Sequence, residues 1–576
     1  MKDRGTVTKA LKIVLAAVFI VVGLNRINTK KGFMVDEVIS YVFANSQYTG
    51  YIDPYVSEYG FREYRKNHLV GSSYFETVKN EIQFVLKCFS DTEYRAEVTE
   101  ECSSLTRGNS EPQWISGDEF REFVDVRADQ KFDYASVVYN TYNDASPPLY
   151  YGTLHTLSSL IDKAFEKRVG CYLNLFSMLI AALMVIRAGE ILGCEAAGFA
   201  GASVFFLSKG GYEMILFNRM YAMAAMFASM MLVGILEILE HEKVRKSVFV
   251  LIFFAVLGGA MTHFYFLVYA FFLTAGGMLV LLGRKAVGKS FLTGVSSASG
   301  VIMSFILFPF SASMLFGDAE GRSGEAITNL LSGQELWPRF IAYVNLLGKE
   351  FIHIDWLWSI PMLIIITGSV FLIAGRQADV GRALNKCAVL AVPVLVFIAF
   401  IAKIAPYITD RYVMVVYPVF ALSIMLFAEA AVRSFASGET ASSVAVLALL
   451  IAALYSNRRT PLNYQRDNYE VQEMLSNEYS DKSAVYLFIG DMYSRFPEFM
   501  NYRQVLITSL EELSVRQWDP VFDKENEVIL INEGNREEDF QRALDVLSVY
   551  GFTETEQLLE HDEYPWCNDV FLLSKR

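Results

Sequence analysis

"YNTYNDASPPLYYGTLHTLSSL" (residues 139–160) sets an acid, two prolines and two tyrosines just ahead of an apolar stretch that carries a histidine. Whether 148–163 crosses a bilayer or lies on its surface decides how the segments around it are counted. The surroundings are unusually apolar. Of 576 residues, 53% are hydrophobic, 14% aromatic and only 20% charged, which is not the composition of a soluble domain. Apolar runs of roughly 15–22 residues recur, near the length a helix needs to cross a membrane. A polytopic helical membrane protein is predicted.

Positive charge orients the spans. "LKIVLAAVFIVVGL" (11–24) follows Lys2, Arg4, Lys9 and Lys12 and lacks a small-residue cleavage site, so it reads as a first span with a cytoplasmic N-terminus. Further apolar segments lie near 171–187, 196–208, 218–238, 247–262, 264–283, 291–310, 355–375, 387–405, 412–432 and 441–455. The basic loops "EHEKVRK" (240–246), "GRKAVGK" (283–289) and "GRQADVGRALNK" (375–386) belong in the cytoplasm. They alternate correctly only if 148–163 does not cross. Its residues fit that: Leu149, Tyr150, Leu154, Leu157, Leu160 and Ile161 form one helical stripe, and Tyr151, His155, Ser158 and Asp162 another. Such a helix lies in the interface. The rival count lets it cross and puts Lys163, Lys167 and Arg168 inside.

The expected result is eleven spans, a first external loop (26–170), a second (311–354) and an external tail. The tail is acidic: residues 461–576 hold 24 Asp and Glu against 10 Lys and Arg, while the rest of the chain is close to neutral. That argues against nucleic acid as a partner, since binding it needs clustered bases. "SAVYLFIG" (483–490), "EVILIN" (527–532) and "DVFLLS" (569–574) read as buried strands, and "REEDFQRALDVLSVYGF" as a helix with a glycine stop. The expected domains are a membrane module, 1–456, and an acidic extracytoplasmic α/β domain, 457–576. The six cysteines form no CxxC pair. Cys88 and Cys102 share one polar region, and both a disulfide and two free thiols stay open.

Ionisable groups gather at the predicted outer ends. In "GFMVDEVISYVFANS" (32–46), Val35, Val38, Ile39, Val42 and Phe43 make an apolar stripe able to float on the membrane, with Asp36, Glu37 and Ser40 on another side. Unpaired acids at a bilayer edge are costly. Periodicity alone favours the plainer reading, acids that suit a helix N-terminus. Asp144 precedes Pro147 and Pro148, a stiff bracket that would hold a carboxylate at a fixed offset from His155. The plainer reading there is a helix-starting turn that tolerates an acid. Arg219 and Tyr221, His263, Arg322, and Asp410 with Arg411 and Tyr412 complete an external rim. Arginine suits phosphate because its fork binds two oxygens; singly, each also fits an interface anchor.

Taken in order, the DE pair on an amphipathic helix, the acid–x–x–Pro–Pro–Leu–Tyr–Tyr–x–x–x–His stretch, "RMYA", the outer "TH" turn and "RYVMVVYP" resemble bacterial glycosyltransferases of the GT-C superfold. The likeness is to the protein O-mannosyltransferase and aminoarabinose transferase family, and extends from about 32 to 418. It implies a GT-C membrane module with interfacial helices in its first external loop. It also implies a sugar donor on a polyprenyl phosphate, delivered at the outer leaflet. An acceptor glycan, lipid or protein and the membrane lipids are the other partners. By resemblance Asp36 is the general base, Glu37 supports it, Asp144 is the second acid, Arg411 meets the donor phosphate, and Arg219 and Tyr221 line the cavity. Relatives commonly read Asp-x-His-Pro-Pro, and here Ser146 stands in place of that histidine. Losing this ligand argues against a divalent cation, for which His155 or His263 would be a speculative substitute; no other cofactor is implied. A flippase or transporter of lipid-linked precursors, an envelope glycan ligase or polymerase, and a non-catalytic scaffold are the competing readings. The flippase or transporter would need acids near the bilayer midplane.

Overall fold

The computed structural model describes residues 2–53, 56–108, 113–142, 146–161, 165–309, 311, 322–331, 335–351, 378–435, 462–465, 469–487, 492–515, 522–532, 537–559 and 569–576. The chain forms two compact units. The first comprises Met1–Lys30, Tyr142–Tyr150 and Arg168–Tyr464; the second comprises Lys31–Thr141, Tyr151–Lys167 and Gln465–Arg576.

The first unit is helical because its sequence is a series of apolar runs with little charge. Among the described residues, five helices are long and apolar enough to cross a membrane: Thr8–Ile27, Val169–Ile191, Tyr221–Glu240, Phe264–Gly283 and Val287–Leu307. Glu195–Leu207, Lys246–Ala260, Ala388–Ile404 and Met414–Ala430 are shorter apolar helices. The expected spans at 355–375 and 441–455 lie outside the described residues. Tyr221–Glu240 is buried along almost its whole length and packs on Val169–Ile191, Lys246–Ala260 and Phe264–Gly283. The peripheral helices expose Ile13, Val14, Val21, Phe291, Ile302 and Ile306. An apolar surface of that kind suits lipid rather than water. The protein is a multi-pass membrane protein.

The second unit is built on a six-stranded sheet. Its strands are β1 (Trp114–Ser116), β2 (Ser483–Leu487), β3 (Gln504–Thr508), β4 (Glu527–Asn532), β5 (Phe552–Leu559) and β6 (Asp569–Lys575). Their order is β1-β3-β2-β4-β6-β5. β2 runs parallel to both β3 and β4, and its five residues are all buried, as expected of a central strand covered on both faces. The strands and the Glu537–Ser548 helix stand where the apolar runs and the Gly551 stop put them.

β1 comes from the polar middle of the first loop and pairs antiparallel with β3 of the tail, Ile115 opposite Val505. The junction is extensive. Trp114 meets Phe522 edge-on at 5.8 Å, Phe120 packs on Phe496 and Phe499, and Arg121 donates to the Met500 carbonyl at 3.1 Å. The Ile52 amide donates to the Tyr493 hydroxyl at 2.9 Å.

Two helices present their faces differently from the sequence expectation. On Val35–Asn45 the stripe expected to float on lipid is largely covered by protein. Val38, Val42 and Phe43 are buried, Phe43 stacks edge-on against Tyr51 and Tyr151, and Tyr41 lies against Phe165. Leu149–Leu160 is only 12 residues long, short for a span. It turns its polar stripe inward, where Asn45 donates to Ser158 at 3.1 Å and the Phe132 amide to Ser159 at 3.0 Å. Leu160 and Ile161 are exposed. Buried polar groups must find partners, and Asn45 supplies one. Cys88 and Cys102, left open above, are free thiols beside an aromatic cluster of Phe61, Tyr64 and Phe84.

The loop–tail sheet can be broken at one atom. A Cβ on Gly117 would lie 2.5 Å from the Tyr502 carbonyl oxygen and 2.8 Å from that of Met500. Both are backbone atoms with little room to give. Gly117→Ala should destabilise the second unit by about 1–3 kcal/mol. Limited proteolysis should then show faster cleavage in the tail, while a surface control such as Glu556→Ala leaves the rate unchanged.

Candidate functional site

In the first unit, the chain leaves Ala378–Ile404 and makes a 3-10 turn, Asp410–Tyr412, before Tyr417–Phe435 begins. Asp410 organises this turn. Its Oδ1 accepts from the Arg411 amide at 2.8 Å, from the Thr409 hydroxyl at 3.2 Å and from the Tyr464 phenol. Its Oδ2 is buried, with no hydrogen-bond partner among the described residues. The turn presents Arg411 half-exposed, with Nη2 donating to the Tyr407 hydroxyl at 3.4 Å.

An aromatic chain runs from this turn. Tyr407 lies 5.5 Å from Tyr412, and Tyr412 5.1 Å edge-on from Tyr265. Tyr265 lies 5.2 Å from His263, and His263 5.4 Å from Tyr221. Tyr221 stacks on Phe217 at 5.8 Å, and Phe217 on Tyr464 at 4.0 Å. Tyr464 closes the circuit on Asp410. His263 caps the following helix, its Nδ1 accepting from the Tyr265 amide at 3.1 Å. That bond places the imidazole proton on Nε2. Burial and the neighbouring Arg219 guanidinium push its pKa well below the usual histidine value. His263 is therefore a neutral donor at physiological pH.

Beneath this circuit lies a set of groups the sequence reading did not single out. Glu213, on the short helix Lys209–Leu216, accepts from two successive amides, Asn463 and Tyr464, the latter at 3.2 Å. Lys209 donates to Glu350 at 3.0 Å and to the Asn463 side chain at 3.1 Å. Glu213 is fully buried and Glu350 nearly so. Gly211 lets the helix seat closely, since a Cβ there would lie 2.2 Å from the Phe205 carbonyl. A signal existed: "SKGGYEMILFNRMYA" (208–222) places Lys209 and Glu213 inside an apolar run, where charges are rare unless paired.

Five of the residues singled out from the sequence thus stand together: Arg219, Tyr221, His263, Arg411 and Tyr412. The double-proline corner joins the same unit, with the Leu149 amide bonded to the Met261 carbonyl at 3.0 Å, two residues before His263. Asp144 lies outside the described residues. Arg322 starts the Arg322–Leu331 helix. Asp36, Glu37 and His155 belong to the second unit. There Asp36 is half-exposed near the start of Val35–Asn45, and its carbonyl accepts from Ser40 at 3.0 Å. Glu37 is buried and caps that helix by accepting from the Met34 amide at 2.7 Å. His155 is buried 3.4 Å from Asn45 and edge-on to Tyr134, and burial holds its pKa below the usual value. Among the described residues, no group of three His, Cys, Asp or Glu is arranged to hold a metal ion.

No family model matches the chain, and no curated protein matches it. Among solved structures it is similar to ArnT from Cupriavidus metallidurans bound to undecaprenyl phosphate. The identity is 10%, the TM-score 0.43, and the likeness covers 74% of this chain and 88% of that one. The apo state of the same protein gives 10%, 0.40, 80% and 91%. The arabinofuranosyltransferase AftD from Mycobacteria gives 11% and 0.31, over 81% of this chain and 40% of that one. Likeness at this level assigns neither an activity nor a ligand to this chain.

Burial raises the Glu213 pKa to about 8, against two N–H donors that favour the carboxylate, and that of Glu350 to about 7. The folded site holds protons that the unfolded chain releases above its ordinary carboxyl value near 4.5. Their contribution to stability is complete below that value and is lost as pH rises through the folded pKa. The thermal midpoint in detergent should fall from pH 5 to pH 9, and Glu213→Gln should flatten that fall. Glu213→Ala, which strips two amides of their acceptor, should cost about 1–3 kcal/mol at any pH. A pH slope identical in wild type and Glu213→Gln would contradict this.

Proposed function

We propose that the protein transfers a sugar from a polyprenyl-phosphate-linked donor to an acceptor hydroxyl at the outer face of the cell membrane. The observation that carries the reading is Arg411, presented half-exposed by a buried carboxylate, within an aromatic circuit that also holds neutral His263 and has Arg219 alongside. The two guanidiniums suit a departing phosphate. The Nε2–H of His263 suits a sugar or phosphate oxygen, and the tyrosine faces offer apolar surface to a saccharide ring.

Chemically, a single displacement serves. Asp36, by its resemblance to the family's base, takes the proton of the acceptor hydroxyl. The oxygen attacks the anomeric carbon with inversion, and the bond to the lipid phosphate breaks. Arg411 meets the charge that develops on the leaving group, as preorganised cations do best away from water. Glu37 acts on Asp36 by fixing the first turn of its helix. Asp144 is assigned as a second acid on the resemblance alone.

A transporter needs its ionisable groups near mid-span. Here His263, Arg219 and Arg411 stand in turns and at helix starts, which favours chemistry at the surface. A ligase or polymerase of envelope glycans would use the same donor chemistry and differs only in acceptor.

Purified protein incubated with a panel of polyprenyl-phosphate sugars should release or transfer the sugar of at least one member. Asp36→Asn should lower turnover by about 10²–10⁴-fold with an unchanged thermal midpoint. Full turnover in Asp36→Asn would remove it as the base, and a panel left wholly intact would contradict the transferase reading.

A further inference from the structure

The second unit holds a cavity that the proposed chemistry does not use. It has a volume of about 400 Å³, within the range of small-molecule sites. Its wall carries the guanidiniums of Arg62, Arg65 and Arg127 and the amine of Lys66, against a single acid, Glu63. Arg65 is held from behind by Glu81 at 2.7 Å and Asp133 at 3.7 Å, and its guanidinium lies 4.4 Å over the Tyr48 ring. Arg127 is held at the rim by Glu122 at 3.2 Å and Asp129 at 3.4 Å. None of these four acids lines the cavity.

Arg62 is different. Its guanidinium makes no hydrogen bond or ion pair with another described residue, and its Nε is shielded from water without a partner. Burial and the adjacent Arg127 both hold its pKa below the usual arginine value, with Glu122 and Glu63 opposing more weakly. An unpaired, partly buried cation beside a like charge is costly. A bound oxyanion would offset that cost by accepting the planar fork of Arg62 while lying between the two guanidiniums. Half-exposed Val70 and the Gln47 amide supply the remaining wall, an apolar patch and a neutral hydrogen-bonding group of the kind a sugar ring uses.

We infer that this cavity binds a saccharide bearing an oxyanion, with Arg62 as the residue that anchors the charge. The inference stands independently of the transferase reading, because none of the residues that line the cavity has a part in that chemistry.

The test is titration of the purified full-length protein with glucose 6-phosphate, glucuronate, inorganic phosphate and glucose. Saturable binding of glucose 6-phosphate or glucuronate, with none for glucose, supports the proposal. Preference between the two tells a phosphate from a carboxylate ligand. Arg62→Met keeps the apolar stem and removes the fork; it should weaken binding at least about tenfold with an unchanged circular dichroism spectrum and thermal midpoint. Arg62→Lys, which restores charge without the fork, should recover part of the affinity. Equal affinity in wild type and Arg62→Met, or no saturable binding of any anionic probe, overturns it. Binding lost in Arg411→Ala but kept in Arg62→Met places the anion elsewhere and overturns it too.

Discussion

A buried carboxylate, Asp410, fixes the geometry on which the functional reading rests. One of its oxygens collects three donors: the amide of Arg411, the hydroxyl of Thr409 and the phenol of Tyr464. Taking a carboxylate out of water is expensive unless its lone pairs are filled, so the turn and Tyr464 are held by the same requirement. The Tyr464 ring in turn stacks on Phe217, and its amide is held by Glu213. The result is a cation, Arg411, whose backbone is set by buried chemistry while its side chain stays accessible. An active site needs that combination, a rigid mount and a reachable charge.

The acids around this mount outnumber Lys209, the cation buried among them. Glu213 and Glu350 answer by keeping protons at pH values where exposed carboxyls would be ionised. They serve structure first: Glu213 holds residues 463 and 464, and Glu350 accepts from the buried Lys209 amine. Neither belongs to the aromatic circuit, so the site's electrostatics toward a phosphate are left to Arg219 and Arg411.

Much of this was legible in the residues, and the reasons for the gaps are physical. Apolar runs of span length gave the long helices, and short apolar runs gave β2, β4 and β6. Arg219, Tyr221, His263 and Arg411 were recognisable because charged and aromatic groups at helix ends break an otherwise apolar pattern. The pairing of Lys209 with Glu350 spans 141 positions, and that of Tyr464 with Asp410 spans 54. No local periodicity encodes such a contact. β1 was missed for a similar reason: three residues in a polar loop acquire strand character only by pairing with β3. The Val35–Asn45 helix shows the limit of periodicity itself, since an apolar stripe reads the same whether lipid or the rings of Tyr51 and Tyr151 cover it.

The central claim is that Arg411, mounted on Asp410 and Tyr464, receives the phosphate of a lipid-linked donor. Binding of a sugar-free polyprenyl monophosphate to the purified protein in nanodiscs tests it without requiring the right sugar or acceptor. The account predicts saturable binding by wild type, at least about tenfold weaker binding by Arg411→Ala, and an intermediate loss in Tyr464→Phe, which keeps the ring stack but frees Asp410. Undiminished binding by Arg411→Ala in a folded protein would contradict it.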